Sequence, residues 1–241
     1  MAHLPRVWCP APLQALSEVE LDASRAHHLY TVLRRRPGDA VRAWDGDDRE
    51  GDAEILELTN RRGRVRVGTV DIVSRESPLA LTLVQAVGRG DRFAEAMVAA
   101  VEAGATAVQP VWTECGAPPM KGERLGKKWR AWQIQLLGAA EQSERTRRPV
   151  LHEPCMLQDW LRHARHGVLM HPSGARLGTL DIAEPDALAV VVGPEGGFSE
   201  REVALARRSG LTVAQLGPRI LRTEHAGPLA LAVLQQRFGD Y

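Results

Sequence analysis

Two short apolar runs in the last quarter of the chain each end in a glycine-proline pair, and this repeated junction restricts the fold more than any other stretch. Ala187-Leu-Ala-Val-Val-Val192 enters Gly193-Pro-Glu-Gly-Gly197, and Leu211-Thr-Val-Ala-Gln-Leu216 enters Gly217-Pro-Arg-Ile-Leu-Arg-Thr-Glu224. Apolar runs this short, bounded by turn residues, read as buried strands. A strand that ends in glycine-rich backbone and leads into a helix, twice over, predicts an α/β protein with a ligand crevice at the carboxyl ends of parallel strands. Glycine suits such a crevice because it adopts positive φ without a Cβ clash and lets backbone approach a ligand. The helix after the first loop is well specified: Ser199 and Glu202 have capping-box spacing, Arg207 and Arg208 fall in the last turn, and Gly210 follows as a C-cap. The last helix is expected to begin near Pro228, to carry Leu229, Leu231, Val233 and Leu234 toward a core, and to end at Phe238-Gly239.

The rest of the chain has two textures. Up to Val73 it is β-rich: 40–44, 53–58 and 64–73 alternate apolar and polar residues, and Asp45-Gly46 is a hairpin-type turn. Ser24 to Arg35 has helical spacing through Ala26, Leu29, Val32 and Leu33 and stops before Pro37-Gly38. This predicts a small barrel-like domain over residues 1–73 with one short helix. After Ser74-Arg-Glu-Ser-Pro78 the pattern becomes strand (79–87), helix (92–103), strand (105–112), long helix (123–144), helix (156–164) and short strand (167–170). That order predicts a mostly parallel sheet with helices on both faces over residues 74–241.

Several chemistries are disfavoured. Gly88-Arg-Gly90 follows a strand, but Phe93 stands where a dinucleotide fingerprint needs its third glycine, so a tight turn is the better reading. Cys9, Cys115 and Cys155 form no CxxC pair, and the eight histidines show no HExxH or Cys/His grouping, which gives no expected metal site. Neither a GxSxG elbow nor a Walker loop occurs. No apolar run reaches bilayer length and no secretory leader opens the chain, so a soluble cytoplasmic protein is expected.

Formal net charge is only +1, so any polyanion-binding surface must be a local patch. Candidate patches are Arg34-Arg-Arg36, Arg61 to Arg66, Lys121 to Arg130, and Arg145 with Arg147-Arg148. A solvated face is the ordinary explanation of any one cluster; several in a neutral chain suggest phosphate contacts. Trp8, Trp44 and Trp112 are expected mainly in core packing, with base stacking as their alternative use.

The wording of the two loops, Gly193-Pro-Glu-Gly-Gly-Phe-Ser199 and Leu216-Gly-Pro-Arg-Ile-Leu-Arg-Thr-Glu224, closely resembles that of the RsmE family. The resemblance extends to His27-His-Leu-Tyr-Thr-Val-Leu-Arg34, Pro37-Gly-Asp39 and Trp44-Asp-Gly46, and in the middle to Ala140-Glu-Gln-Ser143 with Arg145 and Pro149. It implies a SPOUT methyltransferase fold with a C-terminal trefoil knot, preceded by a PUA-like RNA-binding domain. It implies methylation of N3 of a uridine in 16S ribosomal RNA of the small subunit, with S-adenosylmethionine as cofactor and a homodimer as the working form. Carried onto this chain, the cofactor-binding set is Met170, His171, Gly193, Pro194, Glu195, Gly196, Gly197, Leu216, Gly217, Ile220, Leu221 and Arg222.

Arg222 follows Ile220-Leu221 and is expected to project from a buried loop as the stabiliser of an imide anion; Glu224 or Glu195 is the candidate proton acceptor. RNA contacts are expected from Arg6, Arg34, Arg145 and Arg219. The chain departs from the family at Ala99, where a lysine is usual, at Cys115, where an arginine is usual, and at His225, where threonine is common. Two other readings stay open on these grounds: an RNA-binding protein of the same fold without catalysis, and a SPOUT methyltransferase with a different RNA target.

Overall fold

The computed structural model describes residues 4–10, 12–164, 166–183 and 185–241. The chain divides into two compact units: one comprises residues 1–76 together with 140–148, the other 77–139 together with 149–241.

In the first unit β1 (Arg6–Trp8), β2 (Glu18–Leu21), β3 (Ala40–Trp44), β4 (Arg49–Leu58) and β5 (Gly63–Val67) form one sheet in the order β1-β3-β4-β5-β2, with β6 (Asp71–Ile72) on β4. The β1–β3 pair is parallel and the others are antiparallel. Alternation places Val41, Ala43, Ala53, Ile55, Val65 and Val67 in a shared core. The Asp45-Gly46 turn joins β3 to β4 as expected; Gly46 takes φ 82° and the Asp45 carboxylate accepts from the N–H of Asp47 at 2.8 Å. Leu56 is an extra residue opposite β5 and makes a bulge that returns Leu58 to the core.

The helix expected over 24–35 is shorter. Helix α1 (Ala23–His27) is capped by Asp22, whose carboxylate accepts from Arg25 N, and it widens into a π-type turn over His28–Val32. The widening closes an N–H···O bond from Leu33 to His28 at 3.0 Å, and Arg34 then leaves in the left-handed region at φ 53°. Only Ala26 and Leu29 are buried, so little packing is available to hold further turns.

In the second unit β7 (Ala80–Ala86), β8 (Ala105–Trp112), β9 (Val150–Leu151), β10 (Cys155–Met156), β11 (Gly167–Arg176), β12 (Ala187–Val192) and β13 (Thr212–Gln215) form a sheet in the order β10-β8-β7-β12-β11-β13, with β9 also on β8. Every pairing in it is parallel. The helices are α2 (Arg92–Glu102), α3 (Gly122–Gln142), α4 (Leu157–Leu161), α5 (Glu200–Arg208) and α6 (Thr223–Phe238). Val84, Ala86, Leu169 and Val191 pack against Leu157, Leu161, Val203 and Ala206 of α4 and α5. The alternate residues Leu83 and Gln85 face Gly227 of α6, so helices cover both faces of β7.

Several boundaries in this unit differ from expectation, and the helix expected over 156–164 is only the short α4, with Met156 in β10 instead. Helix α6 starts at Thr223, five residues before Pro228, which lies inside it. Strand β11 continues to Arg176 through a register shift between Met170 and Ala175. Among the described residues no helix is long and apolar enough to cross a membrane.

Candidate functional site

The strand order reverses at β7: the chain leaves it through α2 to β8 on one side, while β12 occupies the other. Such a switch point opens a crevice at the carboxyl ends of the strands. Here that edge carries the turn after β7, the loop after β12 and the loop after β13.

The loop after β12 is shaped by close backbone packing. A Cβ at Gly193 would sit 3.1 Å from the Phe198 ring, and one at Gly196 would sit 3.1 Å from the carbonyl oxygen of Cys115. Position 115 therefore packs against the loop through its backbone and Cβ, atoms that every residue but glycine carries. Pro194 accepts from Gly197 N at 2.9 Å, closing a turn that carries Gly197 to φ 73° with no atom within 4 Å of a would-be Cβ. The capping box of α5 is complete: Glu202 N donates to Ser199 Oγ at 3.1 Å and Ser199 N donates to Glu202 Oε2 at 2.9 Å. The Glu195 carboxylate lies 2.6 Å from where a Cβ of Gly88 would be and pairs with Arg92 at 3.4 Å.

The loop after β13 frames a small cavity of about 230 Å³ lined by Leu216, Gly217, Arg219, Leu221, Leu229 and Val233. Gly217 takes φ 140°, again with open space where a Cβ would be. Ile220 is 81% exposed and the Arg222 side chain 74% exposed, which corrects the expectation of a buried loop. The apolar pair does not act as a plug, because only Leu221 turns toward the cavity. Among the described residues Arg222 has one carboxylate neighbour, Glu224, at 3.9 Å. Glu224 is itself buried, and among the described residues its Oε2 has no hydrogen-bond partner.

One side chain joins the two loops. The Thr223 hydroxyl donates to the carbonyl oxygen of Gly193 at 2.5 Å and accepts from Gln85 Nε2 at 2.9 Å. Gln85 is fully buried. Sequence reasoning singles out neither residue, although a glutamine within the apolar run Leu79 to Val87 is a signal of a buried polar contact. Met170 and His171 lie where β11 bulges past β13; Nδ1 of His171 meets the Ser173 hydroxyl at 2.8 Å and its N–H at 3.2 Å. Gly174 in that bulge cannot carry a side chain, since a Cβ would come within 2.5 Å of Ala214 N. Of the residues expected to hold a cofactor, the small cavity thus gathers Leu216, Gly217 and Leu221, while 193–197 form the neighbouring turn tied to it through Thr223.

The four arginines expected on RNA have different surroundings. Arg34 and Arg219 are exposed. Arg6 is 7% exposed, donates to Glu50 at 3.0 Å and to the carbonyl oxygen of Arg145 at 2.9 Å, and lies over the Trp44 ring. Arg145 is 5% exposed and pairs with Glu76. Arg42 and Arg75 also bind Glu50, and the hydrogen bonds from Arg75, reinforced by Arg42 and Arg6, hold its carboxyl down to about 2 against the opposing effect of burial. Trp44 and Trp112 are core residues, and the Trp8 ring is covered by the guanidinium groups of Arg25 and Arg148 at 4.2 and 4.5 Å. Among the described residues no three His, Cys, Asp or Glu side chains gather as a metal site.

Comparison with known proteins bears on both units. An RNA methyltransferase domain family matches residues 75–235, and an RNA methyltransferase PUA domain family matches residues 21–68. Ribosomal RNA small subunit methyltransferase E of Mycobacterium bovis is 32% identical over 89% of this chain and 84% of its own length. The protein of the same name from Buchnera aphidicola is 27% identical over 99% of this chain and 98% of its own. Among solved structures, ribosomal RNA small subunit methyltransferase E of Neisseria gonorrhoeae, bound to S-adenosyl methionine, is 34% identical, covers 99% of both chains and has a TM-score of 0.91. A methyltransferase of Legionella pneumophila in complex with the same cofactor is 33% identical with a TM-score of 0.94 over 100% of both chains.

Proposed function

Since this chain belongs to the ribosomal RNA small subunit methyltransferase E family, we propose that it transfers a methyl group from S-adenosylmethionine to N3 of a uridine in 16S ribosomal RNA. The observation that carries the reading is the pair of glycine turns at the ends of β12 and β13, joined through Thr223, in a chain similar along its whole length to cofactor-bound methyltransferases. The residues fit the cofactor. Gly197 and Gly217 leave open the space a Cβ would fill, and Leu216, Leu221, Leu229 and Val233 offer an apolar slot beside backbone N–H and C=O groups. In this reading Met170 and His171 edge the site, 193–197 and 216–222 grip the ligand, and S-adenosylmethionine supplies an electrophilic methyl group.

The remaining chemistry falls to side chains of the protein. Uracil N3 becomes a good nucleophile only after losing its proton, so the site must hold the base in line and stabilise a developing imide anion. Arg222 suits the stabilising role, since its guanidinium keeps its charge and presents a fixed fork of donors, with Glu224 near enough to orient it. Glu224, whose Oε2 has no partner among the described residues, is the stronger proton acceptor; Glu195 is already engaged by Arg92.

The finer family features belong to the same reading. A trefoil knot through the C-terminal segment accords with Thr223 reaching back to Gly193 and with β11 lying between β12 and β13. A homodimer accords with exposed Ile220 and Leu229 beside the cavity. Of the four arginines expected on RNA, Arg34 in the first domain and Arg219 in the second are the exposed ones and suit that contact best. The target RNA would place the protein in the cytoplasm. The test is incubation of unmodified small subunits with the protein and cofactor, followed by mass mapping of the modified nucleoside. A 3-methyluridine at one site is expected; cofactor binding with no methylated nucleoside would leave an RNA-binding protein without catalysis, and a different methylated nucleoside would reassign the target.

A further inference from the structure

A larger groove opens in the second unit on the same edge of the sheet, and the function proposed above leaves it unused. Its volume is about 660 Å³, within the range of about 300–1,000 Å³ usual for ligand clefts. One wall is the turn after β7, Val87 to Asp91; the other is α3. Its apolar floor includes Phe93 and Trp132, whose rings meet at 4.4 Å, with Pro118 and Met120 beside them.

Charge is what sets the groove apart. It is lined by Arg89, Arg124, Lys127 and Lys128 against one carboxylate, Asp91, in a chain whose net charge is only +1. Arg124, Lys127 and Lys128 stand at positions i, i+3 and i+4 of α3, so the helix presents them on one face. Lys128 is bound to Asp91, and Lys127 meets Glu123 at 2.8 Å as a mostly exposed pair that contributes little. Arg89 and Arg124 are exposed, and neither has a carboxylate partner among the described residues. Among the described residues the buried Nε1–H of Trp132 has no acceptor. The groove therefore holds two cations without a carboxylate partner among the described residues, Arg89 and Arg124, and a solvent-screened Lys127, over an apolar floor, which is the complement of a phosphodiester strand carrying bases and ribose.

Its position supplies the direction. Gly88 lines the groove, and the Glu195 carboxylate of the first loop lies against the Cα of Gly88, at 2.6 Å from where a Cβ would be. We infer that the groove between the turn after β7 and helix α3 binds the single-stranded RNA next to the target uridine, with Arg89, Arg124 and Lys127 on its phosphates and the apolar floor under a base or ribose. The inference rests on the proposed RNA methyltransferase reading and adds a second contact surface to it. Single-stranded RNA is the occupant the charge favours; an acidic protein segment would not require the depth or the apolar floor.

The test uses the full-length double variant Arg124→Gln/Lys127→Gln, both residues being exposed on a helix face, beside the wild type. Each phosphate contact to a single strand contributes about 0.7 to the slope of log K against log salt, so losing two should flatten the slope by about 1.4 and weaken RNA binding about 25-fold at 0.1 M salt. With unmodified small-subunit RNA as the probe, KM for RNA should rise while kcat at saturating RNA and affinity for S-adenosylmethionine stay near wild type. Restoring charge with Arg124→Lys/Lys127→Arg should recover most of the loss. A double-glutamine variant with wild-type RNA affinity and salt slope overturns the groove assignment. A wild-type protein that binds no S-adenosylmethionine and methylates no RNA overturns the functional reading instead, and the two failures are separately visible.

Discussion

Thr223 offers the sharpest test of how the two loops are held, because Thr223→Val removes one hydroxyl while nearly keeping the side-chain shape. The hydroxyl is buried and serves two partners, the carbonyl oxygen of Gly193 and Nε2 of Gln85. A buried polar group left without its partner costs about 1–3 kcal/mol. Two such groups set an upper range of roughly 2–6 kcal/mol; Gln85 Nε2 keeps a weak alternative at the Ala86 carbonyl, 3.4 Å away, so the expected loss is about 2–4 kcal/mol. Urea unfolding followed by tryptophan fluorescence should show a lower midpoint with an unchanged slope.

The second readout is functional. Gly193 begins the turn that carries Gly197 to its left-handed conformation, so releasing its carbonyl leaves that turn to be reordered on binding. Ordering even one residue costs about 1–2 kcal/mol, so affinity for S-adenosylmethionine should fall about tenfold by calorimetry. Thr223→Ser keeps the hydroxyl and should restore both quantities. If the valine and serine variants share one unfolding midpoint and one Kd, the link is not what holds the loops. A valine variant that is less stable yet binds cofactor normally would confine Thr223 to supporting α6.

Glu50 should make the first unit sensitive to acid. Its carboxyl is held at about 2 in the fold against an ordinary 4.5, which contributes about 3 kcal/mol that is fully present above pH 4.5 and lost as pH falls toward 2. Glu50→Gln should lose about that much at pH 7, and the gap from wild type should close across that window; a gap independent of pH would refute the assignment. At the cofactor loops, Gly197→Ala and Gly217→Ala strain the backbone by about 1–2 kcal/mol, and since no protein atom lies within 4 Å of the new Cβ, S-adenosylmethionine is what it should meet. Calorimetry should show at least a tenfold weaker Kd, and unchanged affinity in both variants would move the site elsewhere. Arg222→Ala should lower single-turnover methylation about a hundred- to thousandfold with little loss of stability, because the side chain is mostly exposed; Arg222→Lys should fall between, and wild-type turnover in the alanine variant would remove it from the mechanism.

What the sequence made legible is what neighbouring residues decide. The capping box at Ser199 and the Asp45-Gly46 hairpin are local arrangements, and both form as their residues dictate. Proline's preference for a first helical turn puts the start of α6 too late, because tertiary contacts set that start. Thr223 is buried against Gln85 and Gly193, both far away in sequence, and the helix tolerates Pro228 in its second turn. The π-type turn at His28–Val32 has the same apolar spacing as an α-helix and leaves no separate mark on the pattern.

The arginines show the same division more sharply. A run of like charge in the sequence counts cations and is blind to the acids that meet them. Arg6 finds Glu50 from 44 residues away and Arg145 finds Glu76 from 69, so two arginines that read as surface charge became interior pairs. An unpaired buried guanidinium would be costly, and once so paired it has no freedom to meet a phosphate without breaking a buried ion pair. On α3 the spacing itself decides the outcome: three and four residues beyond Arg124 stand Lys127 and Lys128, not acids, and Glu123 answers only Lys127. Like charges at that spacing repel one another by a few tenths of a kcal/mol per pair in the free protein, and a polyanion laid across them relieves that repulsion. The cations that local sequence leaves unanswered are therefore the better guide to where RNA binds than the longest run of arginine.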